Sequence, residues 1–89
     1  MLKVEITPMS LEEAKEMGID TWGRWGCEPS RFDWSYPERE VCYIFEGEVT
    51  VSAYGEDYEI GPGMMVTFPQ GMDCVWDVKK AIRKAYKFG

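Results

Sequence analysis

The chain has 89 residues, of which 45% are hydrophobic and 15% aromatic, and a net charge of −6. That length allows a single domain with a small core, and the acidic balance excludes a general nucleic-acid binder, because phosphate contacts need an excess of Lys and Arg. No apolar run approaches membrane-spanning length and no N-terminal stretch reads as a signal, so no membrane association is expected and the expected compartment is a reduced cytoplasm.

In chain order, Lys3–Ile6 is predicted as a short strand with Val4 and Ile6 on one face, ended by Pro8. Ser10-Leu11-Glu12-Glu13 reads as a capping box, in which the Ser10 hydroxyl accepts from the Glu13 amide while Glu13 reaches back. The helix it starts is expected to run to about Met17 with a narrow apolar face of Leu11, Ala14 and Met17, and Gly18 supplies the left-handed stop. From Trp22 onward the helical period is lost, and short β-rich runs broken by Gly and Pro follow. Val41–Phe45 is a nearly continuous apolar run, as in a strand buried on both faces. Glu48–Ala53 alternates, with Val49, Val51 and Ala53 on one side, and Gly55 marks a hairpin into Asp57–Ile60. Gly61-Pro62-Gly63 is a turn, Met64–Phe68 a strand and Pro69-Gln70-Gly71 a second turn. Cys74–Val78 is a strand with Cys74, Trp76 and Val78 on one face. Lys79–Phe88 fits a helix through Ile82, Ala85 and Tyr86, but a strand through Ile82, Tyr86 and Phe88 is the preferred reading. Many short strands at close spacing imply an all-β sandwich or barrel.

Charge and cysteines add two observations. All 16 acidic residues lie in residues 1–78, whereas the last eleven residues carry five of the ten cations and no acid. A solvated basic strand accounts for that; so does a cation turned inward. Cys27, Cys42 and Cys74 are far apart and form no CxxC, which suggests neither a disulfide framework nor a zinc ribbon.

Two glycine-centred half-motifs stand out. The first is Glu40, six residues and Gly47 (EVCYIFEG); the second is Gly63, five residues, Pro69, one residue and Gly71 (GMMVTFPQG). Their glycines read as tight turns between strands, and Pro69 as a fixed backbone angle. This pair resembles the two motifs of the cupin superfamily. Together with Trp25, FDWSYPERE, CYIFEGEVTV, GPGMMVTFPQGMDCVW and the terminal IRKAY, it is similar to small single-domain cupins of the DUF861, or Cupin_3, type, which are grouped with the cupin domain of (S)-ureidoglycine aminohydrolase. The resemblance covers roughly residues 22–88. It implies a cupin-type β-barrel (a double-stranded β-helix, or jelly roll) over residues 22–89, preceded by a strand-and-helix extension over residues 1–21. It also implies a metal site built on three histidines and a glutamate.

Here the chain departs from the pattern, because it contains no histidine. The first-motif histidines fall on Trp34 and Tyr36, the second-motif histidine on Cys74, and only Glu40 is kept. Ureidoglycine chemistry uses tandem cupin domains and a metal, so that activity is not carried over. A carboxylate pointing into a barrel needs a partner. Glu40 can bind a metal, pair with a cation or hydroxyl, sit protonated as an acid or base, or bond core backbone. The preferred reading is a metal-free pocket without a cofactor, in which Trp34, Tyr36, Glu40, Cys74, Trp76 and Lys84 meet a small polar organic ligand. If there is chemistry, Glu40 moves the proton and Tyr36 is its hydrogen-bond partner. Lys84 shares a predicted strand face with Ile82, Tyr86 and Phe88 and can reach inward to balance Glu40; an outward, snorkelling lysine fits the same pattern. Cys74 has no histidine to activate it and reads as an inert thiol. Two other readings stay open: a metal-dependent enzyme holding a divalent transition metal on Glu40, Cys74 and Tyr36, and a non-catalytic dimerisation or partner-binding module. A homodimer is expected in each case, because pairing would cover an exposed sheet edge.

Overall fold

The computed structural model describes residues 3–89. Its strands are β1 (Glu5–Pro8), β2 (Gly23–Cys27), β3 (Ser30–Ser35), β4 (Glu40–Ala53), β5 (Glu56–Ile60), β6 (Met64–Phe68) and β7 (Asp73–Phe88), with helix α1 (Leu11–Glu16) and a 3-10 turn (Ile19–Thr21) after β1. All ladders are antiparallel. They run in the order β1-β6-β4-β7-β2, with β3 also on β7 and β5 also on β4. The two long strands β4 and β7 pair from Glu40↔Phe88 to Ser52↔Val75. Each has its other edge filled in halves: β6 then β5 along β4, and β2 and β3 along β7. The sheet curls round one core, to which Cys42, Val51, Val66, Phe68, Trp76 and Ile82 contribute. This is the expected all-β cupin architecture. Its hydrogen-bonded ladder stays open, because β1 and β2 end the order without joining each other.

Two pairs of predicted strands prove to be single strands. Val41–Phe45 and Glu48–Ala53 are the two halves of β4, and Cys74–Val78 and Lys79–Phe88 are the two halves of β7. Gly47 is therefore not a turn between strands. It lies inside β4 at φ 98°, where a Cβ would run into the backbone of Ala81 and Ile82, the conformation and close approach that make glycine necessary at a bulge. The irregular register between Ile44 and Val49 switches the inward positions of β4 from even to odd numbers. Cys42 and Ile44 before it, and Val49, Val51 and Ala53 after it, share the same core. Gly63 and Gly71 do occupy turns with positive φ. Pro8 does not end β1 from outside but is its last residue, which an edge strand tolerates.

Helix α1 and the 3-10 turn form a second layer. The capping box is formed: the Ser10 hydroxyl accepts from the Glu13 amide, and the Glu13 side chain accepts from the Ser10 amide. Ala14 and Ile19 pack on Val41, Tyr43, Met65 and Ala85, the outward side of the sheet. That cover is why Val41–Phe45 reads as apolar at every position. Of the predicted helical face only Ala14 is buried; Leu11 and Met17 are exposed, and Ile19 takes their place.

Candidate functional site

On the inner face of β7 the even positions from Cys74 to Val78, and then Ile82 and Lys84, are buried. Lys84 stands across the ladder from Ile44, whereas Glu40 faces Phe88. Their side chains therefore extend along the inner face towards each other, and the Lys84 Nζ donates to Glu40 Oε2 at 2.6 Å. Both side chains are almost fully enclosed, at 6% and 7% exposure. Three rings surround the ammonium: its Nζ lies 4.8 Å from the ring centroid of Trp76, 5.2 Å from Trp25 and 5.9 Å from Tyr86. Aromatic faces attract a cation most strongly when it is desolvated, so the cage and the carboxylate together offset the cost of burying the charge. The cation-turned-inward reading of the basic C-terminal segment is the one the structure takes.

A cavity of about 620 Å³ opens over this pair. Glu40 and Lys84 line it with Trp25, Cys27, Phe32, Trp34, Tyr36, Trp76 and Tyr86. Its walls are positioned by pairing on β7, where Trp25 faces Lys84, Phe32 faces Trp76 and Trp34 faces Cys74. Phe32 stacks on Trp76 with centroids 6.1 Å apart, and Trp25 meets Trp76 edge-on at 5.9 Å. Trp34 stands half-exposed, at 48%. Tyr36 is buried with its ring stacked on Phe68 at 4.8 Å.

Of the six predicted ligand-binding residues, Trp34, Tyr36, Glu40, Trp76 and Lys84 line the cavity. Cys74 does not; its thiol turns to the carbonyl of Trp34 at 3.5 Å. Tyr36 is not the hydrogen-bond partner of Glu40. Its hydroxyl accepts from Trp76 Nε1 at 3.2 Å, because stacking on Phe68 fixes the ring, and Lys84 takes the Glu40 carboxylate instead. The sequence reading missed Phe32 and Tyr86 as walls and noted Trp25 only as part of the resemblance. The signal that could have found Trp25 and Phe32 is the alternation Trp25/Cys27 and Phe32/Trp34, which becomes a face only once β2 and β3 are paired with β7, and for Tyr86 it is the strand face already shared with Lys84.

The cupin fold implies a metal, and these residues do not fit one. Among the described residues no three His, Cys, Asp or Glu side chains converge to hold an ion. The alternative set of Glu40, Cys74 and Tyr36 is divided among three different partners. Burial pushes the Cys74 thiol up to about 11, and burial followed by the nearby Glu40 charge moves the Tyr36 phenol well above its ordinary range, so both groups are protonated at neutral pH in the structure as it stands. What the site does offer is a carboxylate and an amine within proton-transfer distance under apolar walls.

A model of the EutQ-like cupin domain matches residues 14–86. The chain belongs to the EutQ-like cupin family. This description names the EutQ-like domain and not the ureidoglycine aminohydrolase domain that the motif wording suggested. Over 98% of its length this cupin is 41% identical to a solved DUF861 family protein from Thermotoga maritima, all of which it covers, with a TM-score of 0.92. It also resembles the Clostridium difficile EutQ protein (21% identity, TM-score 0.66) and a putative ethanolamine utilization protein Q from Salmonella typhimurium LT2 (22%, TM-score 0.64). Each alignment covers 93% of this cupin, but only 64% and 66% of those two chains, and at that identity the likeness is one of fold. No curated protein matches the chain.

Proposed function

We propose that this cupin binds a small polar organic molecule of zero net charge in the cavity over Glu40 and Lys84, without an essential metal. The observation that carries the reading is the Lys84–Glu40 contact of 2.6 Å at the base of an aromatic-walled cavity of about 620 Å³. A concave apolar site with a few convergent polar groups is the usual form of a small-molecule site. The buried pair is already neutral as a unit, and Asp33, the remaining charged residue of the lining, is exposed to solvent, so a ligand with net charge placed against the pair would leave one buried charge uncompensated, which is costly. A carbonyl or hydroxyl head suits the pair, accepting from the Lys84 amine or donating to Glu40, while a flat apolar body suits the faces of Trp25, Phe32 and Trp76. The cavity also argues against the packed-barrel reading of a pure partner-binding module. Proton transfer at the site would run through Glu40, with Lys84 in the partner role first given to Tyr36. Two further expectations belong to the same reading. The protein works as a homodimer, which covers a free edge of the sheet and which light scattering would test. It works in the reduced cytoplasm, which suits the free thiols of Cys27, Cys42 and Cys74.

The test is titration of tryptophan fluorescence with four probes of one shape: benzamide, benzyl alcohol, benzoate and benzylammonium. The neutral pair is expected to bind at least about tenfold more tightly than the charged pair, the equivalent of about 1.4 kcal/mol. Equal or tighter binding of benzoate or benzylammonium would sink the proposal.

A further inference from the structure

We propose that Lys84 captures aldehydes and ketones as a covalent imine, with Glu40 as the proton carrier; this rests on the pocket reading above. Three observations converge on it. Lys84 is the one lysine that lines the aromatic cavity. Its amine is withdrawn from bulk water, with 6% of the side chain exposed. Its nearest polar group is a carboxylate at 2.6 Å. Desolvation in an apolar pocket is what activates imine-forming lysines, and the carboxylate in contact is the group able to take the ammonium proton.

The step balances without a co-reactant. The Lys84 ammonium first gives a proton to the Glu40 carboxylate. The freed amine adds its electron pair to the carbonyl carbon, and the C=O π pair moves to oxygen, which takes the proton from Glu40. Glu40 then accepts the second nitrogen proton and delivers it to the hydroxyl, which leaves as water as the C=N bond forms. Ammonium and aldehyde become iminium and water, and Glu40 ends as the carboxylate it began as. The product cation sits where the ammonium sat, so Trp25, Trp76 and Tyr86 still face a positive charge and Glu40 is still paired. The site thus holds the iminium by the same contacts that hold the free lysine, and its formation leaves no charge unpaired. The apolar remainder of the aldehyde enters the cavity.

The experiment is incubation of the whole protein with benzaldehyde and cyanoborohydride near neutral pH, followed by peptide mapping of the benzylated lysines. Lys79 and Lys80 are exposed internal references, at 54% and 71%. Labelling of Lys84 is expected to exceed theirs by about tenfold or more, and benzyl alcohol is expected to protect it. Lys84→Arg keeps the cation and its pairing but cannot form an imine, so it is expected to melt like the parent and lose the selective label. Equal labelling of all three lysines, or an undiminished single label in Lys84→Arg, would overturn the proposal. If benzyl alcohol still changes the tryptophan fluorescence in that case, the pocket reading stands and only the imine is lost. If neither probe does anything, both fall.

Discussion

Glu40 and Lys84 carry the account at the scale of single residues. A buried pair is dear to break from one side, because the survivor is left charged and alone. Lys84→Met is therefore expected to lower the unfolding free energy by about 3–5 kcal/mol, while Glu40→Leu combined with Lys84→Met recovers most of that loss. Denaturant titration of the two singles and the double measures it; losses that simply add would mean that the charges do not depend on each other. The site was partly legible at this scale. Motif spacing singled out Glu40, Trp34 and Tyr36, and strand parity set Lys84 beside Ile82, Tyr86 and Phe88. The partner of Glu40 was not legible, because a lysine and a tyrosine satisfy a carboxylate equally well on paper. Stacking of Tyr36 on Phe68 and its bond from Trp76 decide between them, and both are properties of the folded core.

At the scale of elements, the central feature is the irregularity in β4. The residues from Val41 to Phe45 and from Val49 to Ala53 are inward-facing in opposite parity, so a sequence reader meets two strands where the chain makes one. In β7 the inward parity does not change, but the exposed Lys79 and Lys80 interrupt the alternation between its two halves. Only the ladder between β4 and β7, a long-range pairing, shows that both runs continue. Gly47 is what permits this. Gly47→Ala is expected to cost more than about 3 kcal/mol, from a left-handed backbone and a displaced strand together. Gly55→Ala is the control. Gly55 also has positive φ, at 75°, but a Cβ there meets nothing, so the cost is expected to be about 1–2 kcal/mol. Thermal or denaturant unfolding of the two variants measures the gap, and equal losses would remove the packing role assigned to Gly47. β2 and β3 were legible as β-rich but not as walls of a site, since a short strand has no inside until it has a neighbour.

For the whole molecule, acidity is the simplest probe of the sealed core. Burial pushes the Cys42 thiol from its ordinary 9.0 up to about 12, and the Tyr36 phenol moves in the same direction. Both groups hold their protons more tightly folded than unfolded. The Cys42 contribution is therefore fully present below about pH 9 and is lost as the pH rises towards about 12, and that of Tyr36 begins to be lost only above its ordinary 10.0. Stability is expected to be level in this respect to about pH 9 and then to fall by up to about 1.4 kcal/mol per pH unit for each group. Urea unfolding at a series of alkaline pH values shows the slope, and Cys42→Ala is expected to make it shallower by one proton whatever the variant costs at neutral pH. An unchanged slope would mean that Cys42 ionises as freely as in the unfolded chain. The cupin architecture itself was the most legible property of all, because motif spacing, β-rich patterning and chain length point the same way.

The four tryptophans offer the most direct test of the central claim, that a neutral ligand enters the cavity over Glu40 and Lys84. Trp25, Trp34 and Trp76 line that cavity, whereas Trp22 packs in the outer cluster with Lys87 over its ring. Titration with benzamide, followed through the indole N–H resonances of ¹⁵N-labelled protein, is expected to shift Trp25, Trp34 and Trp76 and to leave Trp22 in place. Shifts of equal size at Trp22, or no shift at the three cavity indoles, would contradict it.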